Sequence, residues 1–228
     1  MKQRFLIYPG LVLWGLGVNI LTLVPTLATP TPTHLAVNPD PVTEGAIALT
    51  LQDLPPGFTE IPPSISEQLI AQFAVLRQQF GQEDVPVRDS FAFFHAAQLQ
   101  AVTGFTGDLI APAEQANFDR NLAQLQDPDV QAQIAADLQT RLSQMANVEI
   151  EGYEELPDLD NFADTATGFT LNLNIQGMPF QVDLISFRRD RVGAFTAILS
   201  RRGDSDVRIL DLATTLDRKI LAVLGQMP

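Results

Sequence analysis

Between Pro179 and Arg188 the chain reads as an extended segment that is apolar on both sides. Side chains alternate across a strand, so Val182, Leu184 and Ser186 face one way while Asp183, Ile185 and Phe187 face the other. A strand of this kind sits inside a sheet that is covered on both faces. Partners are close at hand. Gly168 to Ile175 and Val192 to Ser200 flank it, with Gln176-Gly177 and Arg189-Asp190 as the expected turns, and Val148 to Tyr153 supplies a further strand. Ile209, Ala213, Leu216, Ile220 and Val223 then mark an amphipathic helix stopped by Gly225.

The middle of the chain carries the rest of the pattern. Ala46 to Leu51 reads as a strand, and Leu54-Pro55-Pro56-Gly57-Phe58 is a turn whose prolines forbid helix and central strand. Ser64 and Glu67 form a capping box ahead of Leu69, Ile70, Phe73, Leu76 and Phe80, a helix ended at Gly81. Ser90 to Ile110 is β-like and turns near Ala96 to Gln98. Residues 113 to 146 are helical in two parts that break at Asp127-Pro128, because aspartate caps and proline suits a first helical position. Beyond the break Val130, Ile134, Leu138, Leu142 and Met145 form an apolar stripe. These elements define an α+β class, an antiparallel sheet of about six to seven strands packed with amphipathic helices. Gly-Phe-Thr occurs at 57, 104 and 168 with unequal spacing, which marks strand ends and not a repeat.

The first 36 residues contain no acid, carry Lys2 and Arg4, and run apolar from Phe5 to about Ala28. This is the layout of a secretory signal with a cleavage site after Thr26-Leu27-Ala28, the alternative being an uncleaved membrane anchor. The expected organisation is a signal peptide over 1–28, a Pro/Thr-rich linker over 29–45 and one folded domain over 46–228.

With no cysteine among 228 residues, a thiol nucleophile, a disulfide framework, a thiolate metal site and a lipid-modified cysteine are excluded. A net charge of -13 argues against nucleic acid as partner, since that affinity needs a basic face. The charge is unevenly spread. Residues 29–179 hold 4 basic and 21 acidic groups, whereas residues 180–228 hold 8 and 6.

Little in the sequence carries chemistry. Of the two histidines, His34 precedes the domain, so any triad would rest on His95, at the end of a phenylalanine-rich strand. No Gly-x-Ser-x-Gly elbow, dinucleotide fingerprint or phosphate loop is present, and neither cofactor nor enzyme activity is expected. The acidic run Glu149, Glu151, Glu154, Glu155, Asp158, Asp160 and Asp164 begins like a calcium loop. Ala163 and Phe169 then stand where the turn glycine and bidentate glutamate belong. The opposite feature is Arg188, Arg189, Arg191, Arg201 and Arg202, together with Arg208. With a turn at Arg189-Asp190, the first three sit at one end of the sheet and Arg201 and Arg202 at the other. They are candidate docking residues for an acidic protein or an anionic membrane surface. Internal pairing with the chain's own acids is the competing account.

Several motifs together resemble a family of uncharacterised exported proteins of cyanobacterial type. They are Leu51-x-Asp53-Leu54-Pro55-Pro56-Gly57-Phe58-Thr59, Gly104-Phe105-Thr106-Gly107, Ala166-Thr167-Gly168-Phe169-Thr170, Phe187-Arg188-Arg189, and Asp211-Leu212-Ala213 with Leu216-Asp217-x-Lys219-Ile220. The resemblance spans roughly residues 47 to 222. It implies an α/β sandwich similar to the PsbP-like fold of extrinsic photosystem subunits and exported lipoproteins, in the periplasm or thylakoid lumen. It brings no catalytic residue. The functional expectation is a non-enzymatic binding or scaffold module docking through charged sheet ends, the alternative being a carrier of a small apolar ligand between helices and sheet.

Overall fold

A computed structural model describes residues 46–61, 87–127, 129–130, 136, 148–157, 159 and 161–225. The expected signal segment, the linker, the capping box with its helix up to Gly81, most of the helix after Asp127, and Asp158 and Asp160 lie outside the described residues.

Among the described residues seven strands form one antiparallel sheet. They are β1 (Thr59–Glu60), β2 (Val87–His95), β3 (Gln100–Asp108), β4 (Val148–Glu155), β5 (Thr165–Ile175), β6 (Met178–Arg189) and β7 (Val192–Arg201), in the order β1-β2-β3-β7-β6-β5-β4. Two helices accompany it, α1 (Pro112–Leu125) and α2 (Ile209–Leu224). This is the expected α+β class, with β6 well inside the sheet.

The alternation read in β6 holds in space. Ile185 and Phe187 join Phe91, Phe93, Val102, Val192, Ala194 and Ile198 in a core closed by Leu212, Ala213, Leu216 and Ile220 of α2. Val182 and Leu184 join Leu171, Leu173, Phe195 and Leu199 on the opposite face. There α1 brings Phe118 and Leu122 against Leu109. An added Cβ on Gly193 of β7 would lie 2.8 Å from the Phe118 ring, so glycine lets the helix approach the sheet. Apolar rows on both faces hold the sheet, the first of them closed by α2.

The Gln176-Gly177 turn forms as expected. Both residues have positive φ, at 55° and 83°, which suits the twist of a two-residue hairpin. The next turn is displaced by one residue from the expectation. Arg189 pairs with Val192 inside the ladder, and Asp190, at φ 51°, turns the chain. Aspartate tolerates this left-handed conformation, and its N–H donates to the Asp164 carboxylate at 2.6 Å.

Two expectations are corrected. Ala46 to Leu51 is not a strand. Ile47 and Leu49 are buried alternately, but side chains hold the backbone: Ile47 N–H donates to Asp89 at 2.8 Å, and Thr106 Oγ1 donates to the Ile47 carbonyl at 3.0 Å. Leu51–Asp53 then forms a 3-10 turn in which Asp53 accepts from the Thr50 N–H. Nor do Gly104 and Gly168 mark strand ends; both are interior to β3 and β5. The Phe91 ring and the Phe195 carbonyl occupy the space a Cβ on Gly104 would need.

Candidate functional site

The sheet ends are chemically different. At the β6–β7 turn, Arg188 and Arg189 are adjacent and therefore leave the sheet on opposite faces. Arg188 grips Asp119 of α1 with two parallel bonds of 2.7 and 2.8 Å. Arg189 grips Asp217 of α2 with two of 2.8 Å. Asp164 joins them, at 3.2 Å from Arg188 and 3.3 Å from Arg189. These forked pairs are the strong form of ion pair. The hydrogen bonds to Asp119 and to Asp217 raise the two guanidinium pKa values further, against partial burial. Arg191 sits in the turn itself, where its carbonyl accepts from the Leu109 N–H at 2.7 Å. This end is a clamp between the two helices, with Arg188 and Arg189 both engaged internally.

Arg201 and Arg202 lie at the far end, as expected from the turn position. Arg202 donates to Glu151 on β4 at 2.7 Å. That bond and a second from Asn174 hold the Glu151 carboxyl below its ordinary pKa. Arg201 approaches Asp204 at 3.6 Å, and Arg208 approaches Asp211 at 3.9 Å, both in exposed i,i+3 pairs that bind weakly. The acidic run is thus divided: Glu151 and Glu154 reach Asn174 and Asn172 across the ladder, while Asp164 serves the clamp. Among the described residues no three acidic or imidazole groups gather as a metal site.

Between this end of the sheet and the start of α2 is a cleft of 340 Å³. It is lined by Leu156, Thr170, Gln181, Asp183, Ser200 and the 203–210 segment. Asp183 is its central group. Only 8% exposed, it pairs with no Lys or Arg among the described residues. Its carboxylate instead accepts from Thr170 Oγ1 at 2.6 Å and from Gln181 Nε2 at 2.8 and 3.0 Å. Ser200, 2% exposed, has a hydroxyl without a hydrogen-bond partner among the described residues. Behind the wall, Gln100 donates to Ser205 at 2.7 Å, while its buried Oε1 finds no donor. Buried polar groups are normally satisfied, so the Gln100 Oε1 atom stands out among the described residues, whereas Asp183 is held by three hydrogen bonds.

Charge counting in the sequence singled out the arginines and missed this cleft. A signal was present: Asp183 shares a strand face with Ile185 and Phe187, where a carboxylate is costly without a partner. His95 takes no part in it. Its Nδ1 accepts from the Gln98 N–H at 3.2 Å, and its ring meets Phe58 edge-on at 5.2 Å.

These features define an α+β sheet protein with a helix on each face, a clamped sheet end and a polar cleft at the other. No family model matches the sequence, and no curated protein matches it. Among solved structures, a Pseudomonas aeruginosa protein of unknown function, PA94, is similar at 11% identity. The match covers 64% of this chain and 84% of that one, with a TM-score of 0.26. A likeness that distant carries no argument about fold or activity. Among the described residues no helix is long and apolar enough to cross a membrane.

Proposed function

We propose that the protein is an exported, non-enzymatic binding module that acts through the sheet end carrying Arg201 and Arg202 and through the cleft beside it. The observation that carries this reading is Asp183, a buried carboxylate with no cationic partner among the described residues, open to a cleft of small-ligand size. Arg208 lines this cleft, and Arg201 lines a neighbouring depression that shares Gly203 with it. Held among the described residues by exposed carboxylates three residues on, they suit an acidic group on the ligand or on a partner. The signal-like residues 1–28 and the linker over 29–45 support export to the periplasm or a lumen. Arg188 and Arg189 contribute structurally, because docking there would break two forked pairs. A polar inner wall disfavours the purely apolar ligand of the carrier reading at this site.

Native mass spectrometry of the protein purified from its own host tests the reading. A small adduct is expected on the wild type and not on Asp183→Asn. A bare wild type, or an adduct retained by Asp183→Asn, would refute it.

A further inference from the structure

The walls of the cleft differ in charge, and the difference specifies a ligand. On the sheet side Asp183 presents a carboxylate whose Oδ2 receives one bond, at 3.0 Å from Gln181, and so keeps acceptor capacity. Ser200 adds a hydroxyl that lines the cleft and has no side-chain hydrogen bond among the described residues. Opposite stands the start of α2, a helix of 16 residues with no side-chain cap on its first turn. The Asp211 and Leu212 N–H groups both bond the Arg208 carbonyl. The Ile209 and Leu210 N–H groups precede the first turn and have no intrahelical acceptor, at the positive end of the helix dipole. Arg208 stands beside them, its side chain 73% exposed and loosely held. The cleft therefore carries a carboxylate on the sheet side and, on the helix side, backbone donors beside a guanidinium that Asp211 of the first turn approaches at 3.9 Å. Leu156, Val207, Ile209 and Leu210 give it an apolar lining between the two.

We propose that this cleft binds a small zwitterion, an α-amino acid with an aliphatic side chain, its ammonium on Asp183 and Ser200 and its carboxylate at the start of α2 beside Arg208. The ammonium supplies donors to the acceptor capacity that Asp183 keeps beyond its bonds from Thr170 and Gln181, and to the Ser200 hydroxyl oxygen. The carboxylate matches an anion site of the kind helix N-termini provide. The aliphatic group covers the leucine and isoleucine lining. A volume of 340 Å³ lies at the small end of ligand sites and suits one such molecule. The proposal rests on the binding reading above and adds the ligand class.

The test is isothermal titration of the full chain with L-leucine, with isopentylamine, which lacks the carboxylate, and with 4-methylpentanoate, which lacks the ammonium. Leucine is expected to bind, and each half-ligand to bind about tenfold more weakly or worse. Asp183→Asn should weaken leucine by about tenfold or more and leave 4-methylpentanoate unchanged. Leu210→Trp, at a half-buried lining position, should abolish leucine binding and guards against a folding defect in the first variant. Isopentylamine binding as tightly as leucine would overturn the zwitterion, as would leucine binding unchanged in both variants. A host-derived adduct lost in Asp183→Asn, combined with silence toward leucine at millimolar concentration, overturns the ligand class alone. No adduct and no titration overturns the class and the binding reading together.

Discussion

Replacing Arg189 by methionine tests the clamp at the β6–β7 turn. The change keeps an unbranched but shorter apolar stem and removes the charge, leaving Asp217 on the buried face of α2 with its side chain 12% exposed. Two unit charges about 4 Å apart attract by about 4 kcal/mol at the effective dielectric of a protein surface region. Breaking a buried pair by removing one partner costs about 3–5 kcal/mol, because the remaining charge stays desolvated. Arg189 is a quarter exposed, which places the expected loss at about 3 kcal/mol. That is a large part of an ordinary folding free energy of about 5–15 kcal/mol. The double variant Arg189→Met with Asp217→Leu removes both charges and should lie within about 1 kcal/mol of the wild type. Urea unfolding followed by circular dichroism measures all three proteins, with the slope checked for constancy. A loss under about 1 kcal/mol in the single variant, or a double variant no better than the single, would refute the reasoning.

Gly104→Ala should cost about 1–3 kcal/mol, since its methyl meets the Phe91 ring and the Phe195 carbonyl, whereas Gly152→Ala, with its nearest neighbour at 3.6 Å, should be close to neutral. Thermal unfolding of the two separates a steric cause from a general intolerance of alanine in strands. Burial pushes the Asp53 carboxyl up, but Lys219 at 2.7 Å and the Thr50 N–H and hydroxyl outweigh it and hold the pKa below its ordinary 3.8. The unfolded chain then takes up this proton first, so the stabilisation is full above about pH 4 and is lost as pH falls further. Lys219→Met should flatten that acid limb in a stability profile, and an unchanged limb would exclude the pair as its source. Burial, with Glu155 nearby, raises the Tyr153 hydroxyl to about 12. Ultraviolet titration of wild type minus Tyr153→Phe should show that ionisation well above the ordinary 10, and stability should fall as pH rises between these values.

What the sequence made legible was periodicity. The β2–β3 hairpin, the β5–β6–β7 meander and α2 all follow from alternation or helical spacing, and β6 revealed that both faces are covered. The 46–51 segment misled because its alternation is real while its hydrogen bonds run to Asp89 and Thr106, which no local pattern shows. The arginine cluster was visible, but its partners were not: Asp119 lies 69 residues from Arg188 and Asp217 lies 28 from Arg189. The cleft was hidden for the same reason. Thr170, Asp183, Ser200 and Ser205 come from different strands and a loop, and only the ladder register sets them side by side.

The strand order has a kinetic consequence. β3 pairs with β7 along its length, from Ala101 with Leu199 to Asp108 with Val192, so the middle of the sheet joins stretches 84 to 98 residues apart. During synthesis the β2–β3 hairpin appears early, and the β3 edge waits with unpaired peptide groups until residue 201 has emerged. Such a non-local closure is slow compared with helix or hairpin formation, and an open, apolar strand edge is a template for association with another chain. The last fifty residues therefore act as the closing step of folding, and truncations that remove β7 should yield aggregating chains and not a smaller sheet.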